Sequence, residues 1–139
     1  MNRRVFLAAT AGVAAAGLAG CMGASGEQAD YDIGMASSAF LQPENFEPHV
    51  GEKVVWRNTG MRTHTVTAYE SAIPEKATYF ASGGFSSEKA ARDAWLERGG
   101  GGIESGKTFT QTFEVPGTYT YFCIPHEKAG MVGQFTVVE

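Results

Sequence analysis

From about residue 30 onward, short runs of alternating apolar and polar positions dominate the chain. Thr63, Thr65 and Thr67 alternate with His64 and Val66, and Phe109, Gln111 and Phe113 share one side of another run. That period of two is the pattern of half-buried strands. The runs predict strands over Tyr31–Leu41, Phe46–Val50, Lys53–Asn58, Thr63–Ala68, Thr108–Phe113, Thr118–Cys123 and Gly133–Val138. Turn residues separate them at Gly51-Glu52, Asn58-Thr59-Gly60 and Pro116-Gly117. One segment breaks the rhythm. Ser86-Ser87-Glu88-Lys89 opens a helix-forming stretch through Arg98, with Ala91, Ala94 and Trp95 on one side. Either serine can cap its start and Gly99 can stop it. Tyr69–Gly106 therefore reads as a long connection carrying one short helix, and the Gly99–Gly102 run as a flexible joint. Seven or eight short strands in about 110 residues predict an all-β, antiparallel sandwich.

The first 21 residues do not belong to that pattern. Arg3-Arg4 precedes an Ala- and Gly-rich apolar run from Val5 to Gly20, the layout of an export signal. The run is about 16 residues, short of the ~20 that span a bilayer as a helix. Arg3-Arg4-Val5-Phe6-Leu7 resembles a twin-arginine (Tat) signal, and Leu18-Ala19-Gly20-Cys21 resembles a lipobox whose cysteine carries lipid. The expected organisation is an export signal over 1–21, a flexible tether over 22–30 and one domain over 31–139.

Composition narrows the function. Hydrophobic residues make up 43%, enough for a core in a chain of 139 residues. The net charge of -4 comes with no basic run, which argues against nucleic acid. Without Arg3 and Arg4, nine basic residues face fifteen acidic ones. Two cysteines occur, Cys21 and Cys123. If Cys21 carries lipid, Cys123 stands alone in an oxidising compartment, where metal ligation would explain a solitary thiol. A Cys21–Cys123 disulfide in a metal-free binding sandwich is the alternative.

The sharpest signal is Cys123-Ile124-Pro125-His126-Glu127-Lys128-Ala129-Gly130-Met131. A thiolate, an imidazole and a thioether fall within nine residues, between two β segments. Soft sulfur holds Cu(I) and imidazole suits both copper oxidation states. Two His with one Cys and a weak axial Met form a blue-copper site. His64, on a predicted strand, is placed to supply the second imidazole; His49, beside Pro48, has no sulfur nearby. Zinc also takes Cys and His, but structural zinc sites rarely use a thioether.

At these residues the chain resembles the cupredoxins, within them the plastocyanin-type carriers, and most of all the haloarchaeal halocyanins. The likeness runs from about Tyr31 to Glu139. It rests on Gly51-Glu52-Lys53-Val54-Val55-Trp56-Arg57-Asn58, His64-Thr65-Val66, Gly117-Thr118-Tyr119-Thr120-Tyr121-Phe122-Cys123, and the loop to Met131-Val132-Gly133. The insertion over residues 68–106, with Tyr79-Phe80-Ala81-Ser82-Gly83-Gly84-Phe85, resembles halocyanins rather than plant plastocyanins. The resemblance implies an eight-stranded Greek-key sandwich with one copper ion at one end and single-electron transfer at a membrane. Plastocyanins commonly carry Asn after the first ligand His, bracing that strand to the Cys loop. Thr65 stands here, so that brace is not carried over, although the Thr65 N–H can still reach the Cys123 sulfur.

These readings predict a monomeric electron carrier, exported and lipid-anchored through Cys21, that meets respiratory or denitrification partners beside His126. Met61, Pro125, Ala129 and Met131 are the expected docking patch, with Tyr121 and Phe122 as a second electron route. A multicopper oxidase or nitrite reductase domain typically places His beside the Cys, where this chain has Phe122 and Ile124. A copper store would cluster its methionines, and here they are scattered.

Overall fold

Among the described residues, seven strands and one α-helix follow in the order β1 (Ile33–Ala36), β2 (Ala39–Leu41), β3 (Lys53–Asn58), β4 (Thr67–Ala68), α1 (Glu88–Arg98), β5 (Thr108–Thr112), β6 (Gly117–Phe122) and β7 (Val132–Val137). The structure is a computed structural model that describes residues 30–139. Arg3, Arg4, Cys21 and nearly all of the expected tether lie outside the described residues. No helix among the described residues is long and apolar enough to cross a membrane.

The strands form two sheets, ordered β2-β1-β3-β5 and β4-β6-β7. β1 runs parallel to β3, and every other pairing is antiparallel. The period of two decides which residues fill the space between the sheets. In β3, Val54, Trp56 and Asn58 are fully buried while Lys53 is exposed. In β6 and β7, Tyr119, Tyr121, Phe135 and Val137 are buried. Trp56 is the centre of the resulting aromatic core, with ring centroids 5.4 Å from Tyr121, 6.0 Å from Phe135 and 5.5 Å from Phe109. Such edge-to-face and tilted pairs add specificity to the burial of large apolar area. Tyr121 pairs across the ladder with Gly133, where an added Cβ would sit 2.4 Å from the tyrosine ring.

Several expected elements are corrected. Tyr31–Leu41 is not one strand but a hairpin, broken where Ser37 takes a positive φ of 54°. Phe46–Val50 forms no strand; a single bridge joins His49 to Val138. Only the last two residues of Thr63–Ala68 form β4, and His64 makes an isolated bridge to Ile103. Splitting the first run and losing the second leaves seven strands among the described residues, within the seven or eight expected.

The helix begins and ends as its caps require. The Ser87 hydroxyl accepts the Ala90 N–H at 3.0 Å, and Gly99 closes α1 in the left-handed region. The following glycines are not a flexible joint. A Cβ on Gly100 would meet the Ala94 Cβ at 2.9 Å, and one on Gly102 the Thr63 Cγ2 at 2.9 Å. Ser82 Oγ donates to Gly101 O at 2.7 Å, so the run is a close-packed turn with its backbone tied down.

Candidate metal centre

The segment bearing His64 is held from both sides. The His64 N–H donates to Ile103 O at 3.2 Å and the Ile103 N–H donates back to His64 O at 2.7 Å. Fully buried Asn58 fixes the approach: its Nδ2 donates to Arg62 O at 2.6 Å and to Ile103 O at 2.8 Å. Two residues on, the Val66 N–H donates to Ser82 Oγ at 3.0 Å, and Ser82 N–H returns a bond to Val66 O at 2.7 Å. The long insertion thus acts as an edge that positions His64. The sequence marked Asn58 as a strand end and a turn residue; its bracing role needs the long-range partner Ile103.

Cys123 follows β6 directly and opens a 3-10 turn over Ile124–Ala129, with β7 returning at Val132. The loop is closed by its own backbone. His126 N–H donates to Cys123 O at 3.1 Å, Met131 N–H to His126 O at 3.2 Å, and Cys123 N–H to Met131 O at 3.1 Å. Cys123, His64 and Met131 are fully buried, whereas His126 is half-buried. Both the His64 and Cys123 positions lie beside strands rather than within them.

The side chains converge. Cys123 Sγ lies 3.6 Å from His64 Nδ1 and 3.3 Å from His126 Nδ1, and one ligand atom from each of the three falls within 4.8 Å of the others. Metal–nitrogen bonds of ~2.0 Å and metal–sulfur bonds of ~2.3 Å place N and S about 3.3–3.8 Å apart when ligand angles are ~100–120°. The donor set therefore fits one ion. Nδ1 is the His64 nitrogen that faces the other donors, while Nε2 is buried with no hydrogen-bond partner among the described residues. His49, by contrast, lies at an exposed turn against Glu52 and takes no part.

Thr65 supplies the brace that its departure from the asparagine pattern left open. Its N–H donates to Cys123 Sγ at 3.4 Å, and its Oγ1 accepts the Ile124 N–H at 2.9 Å while pairing with Thr67 Oγ1 at 3.0 Å. A threonine hydroxyl ties the His64 segment to the root of the loop.

Burial sets the charges. Desolvation first, then the nearby His126 and Arg62 charges, lowers the His64 pKa to about 4. His126 is lowered too, by burial and then by Arg62. Burial raises the Cys123 thiol, and hydrogen bonds from Thr65 and His126 oppose it. Both imidazoles are thus neutral near pH 7, ready to ligate, while the thiol must give up its proton when metal binds.

The expected docking patch is partly corrected. Met61 is 91% exposed, and Pro125 and Ala129 are exposed, but Met131 is fully buried and contributes nothing to the surface. The sequence missed Leu96 of α1, 79% exposed beside a groove that Ile124, Pro125 and Lys128 also line. On the other route, Phe122 stacks on Tyr69 with centroids 4.2 Å apart, while Tyr121 is buried against Trp56.

A two-sheet sandwich with a buried thiol, two imidazoles and a buried methionine at one loop cluster defines a blue-copper type of protein. The chain belongs to the copper-binding plastocyanin/azurin family, whose model matches residues 29–138. Plastocyanin of Hordeum vulgare is 33% identical over 131 residues, covering 94% of this chain and 76% of that protein. Plastocyanin of Solanum tuberosum is 37% identical over 101 residues, covering 73% and 89%. Among solved structures, oxidized plastocyanin of Dryopteris crassirhizoma aligns with a TM-score of 0.50 at 20% identity, covering 76% of this chain and 98% of that one. A copper-containing nitrite reductase of Thermus scotoductus aligns with a TM-score of 0.55 at 21% identity over 78% of this chain, but only 22% of the reductase. These two likenesses are of fold alone. Copper is the cofactor that the family and the donor set imply.

Proposed function

We propose that the protein is a one-electron carrier whose single copper ion is held by His64, Cys123, His126 and Met131. The convergence of both Nδ1 atoms on a buried Cys123 sulfur carries the reading. Bound copper supplies the Cu(I)/Cu(II) couple. The chain's own residues do the rest. Thr65, Ile103 and Asn58 hold His64 and the loop root in place, so the donors move little between oxidation states. Burial of Cys123, Met131 and His64 excludes water from the sulfur. His126, half-buried on the loop, brings its ring edge close to solvent, where a partner can exchange an electron.

Pro125 and Ala129, with Met61 beside Arg62, form the contact surface around that port. Weak electron-transfer encounters bury little area, which suits a small apolar patch. Partners are membrane-associated proteins of a respiratory or denitrification chain. The residues flanking Cys123 are Phe122 and Ile124, neither able to relay electrons through a ligand to a further metal, so no enzymatic role is assigned. Arg3-Arg4 and the lipobox support export of a halocyanin-like protein, anchored by lipid on Cys21 to the outer face of the cytoplasmic membrane; several plastocyanin relatives are named as chloroplastic.

Voltammetry of the copper-loaded protein tests the carrier reading. A reversible one-electron wave with fast self-exchange is expected. Copper uptake without such a wave would turn the reading into a copper store.

A further inference from the structure

The ligand loop is exposed at Pro125, Lys128, Ala129 and Gly130, yet it carries three of the four proposed ligands. Thr65 braces only its root. Its outer turn is gripped from elsewhere. Arg92 of α1 donates from Nη1 to Glu127 Oε1 at 2.8 Å and from Nη2 to Glu127 Oε2 at 3.1 Å. Tyr69 Oη donates to the same Oε2 at 2.7 Å. Arg92 Nε reaches Glu88 Oε2 at 2.9 Å, and Glu88 exchanges backbone-to-carboxylate bonds with Glu70, at 2.9 and 3.0 Å. The Arg92 guanidinium also lies 4.4 Å from the centre of the Phe122 ring, on which Tyr69 stacks.

The two residues that this network holds, Glu127 and Phe122, are the chain neighbours of His126 and Cys123. Isolated surface ion pairs contribute little, but bidentate pairs within a network are the exception. Here the Arg92 and Glu127 side chains are only 34% and 31% exposed. A planar guanidinium is also suited to fork a carboxylate and cover an aromatic ring together, as an ammonium is not.

We propose that Arg92, carried by the inserted helix, is a positioning residue for the metal centre: by forking Glu127 and capping Phe122 it fixes the loop from Cys123 to Met131. The proposal rests on the copper reading for its consequence at the metal, and on the network alone for its consequence at the loop.

Both are measured on the full chain. Hydrogen exchange of the metal-free protein reads the loop amides of Cys123, His126, Gly130 and Met131. Copper release into excess chelator reads the centre. Arg92→Gln is expected to raise loop exchange and copper release about tenfold, with Glu127→Gln doing the same. The double variant should be no worse than either single, as for two ends of one contact. Arg92→Lys should recover part of the loss. Lys89→Ala, which breaks an exposed pair with Asp93 on the same helix, should change neither readout. Unchanged exchange and release in Arg92→Gln would overturn the proposal, as would single effects that multiply in the double variant. If the parent protein takes up no copper but Arg92→Gln still frees the loop, the strut stands and the copper reading falls. An unfolding midpoint that drops without any change at loop amides or metal would assign Arg92 a purely structural part, and overturn it.

Discussion

Replacing Thr65 by Val keeps the shape of a residue that is 1% exposed and removes only its hydroxyl. Two groups lose their partner: the Ile124 N–H, 2.9 Å from Oγ1, and the Thr67 hydroxyl, 3.0 Å away. Stranding a buried donor or acceptor costs about 1–3 kcal/mol. Ile124 is half-buried and regains some solvent contact, while Thr67 is fully buried, so about 2–3 kcal/mol is expected for the pair. With a urea dependence of ~2 kcal/mol/M, the unfolding midpoint of the metal-free protein should fall by about 1–1.5 M at constant slope. Adding Thr67→Val removes one of the stranded groups, so the double variant should lose less than the two singles added together. The backbone bond from Thr65 to the sulfur is untouched, so copper uptake should persist with a faster release rate. A midpoint within ~0.3 M of the parent would refute the hydroxyl brace.

Other outcomes follow from the same geometry. Folding holds His64 at a pKa of about 4, below its ordinary 6.5, so the folded metal-free chain binds fewer protons than the unfolded one. Its contribution is fully present above pH 6.5 and is lost as pH falls toward 4, at most ~3 kcal/mol; His64→Gln should flatten that part of the stability–pH curve, and an unchanged slope contradicts the assignment. Gly133→Ala forces a methyl against the buried Tyr121 ring, whose hydroxyl donates to Gln42, and should destabilise by ~1–3 kcal/mol in urea unfolding; a neutral substitution would contradict that close approach. Pro125→Glu should slow reduction by a protein partner several-fold while leaving voltammetry on a bare electrode unchanged, and an unaffected partner rate would remove Pro125 from the docking surface.

Local patterns carried much of this into the sequence. The pairing of Cys123 with His126 was legible because the two ligand types fall three residues apart on one loop, and the strand Lys53–Asn58 because an apolar run is bounded by the turns at Gly51-Glu52 and Asn58-Thr59-Gly60. The helix was legible from Ser87 and Gly99, whose capping chemistry is local. What escaped depends on distant partners. Ser37 breaks the first strand because its neighbours form a hairpin. Phe46–Val50 has strand-like residues but makes one bridge only, from His49 to Val138 just past β7. The glycines after α1 suggest freedom until Ala94, Ser82 and Thr63 are seen packed against them. Met131 looked available for the surface because a ligand and a patch residue share one apolar side chain type. The Arg92–Glu127 fork joins residues 35 apart, and no periodicity marks it.

The central claim is a copper ion bound through the Cys123 sulfur with His64, His126 and Met131. Its most direct test is the visible spectrum of the purified protein with Cu(II), before and after ascorbate. An intense blue band that bleaches on reduction, and is lost in Cys123→Ser, is the predicted result. A colourless protein, or a weak band of the kind that nitrogen and oxygen ligands give, would contradict the site.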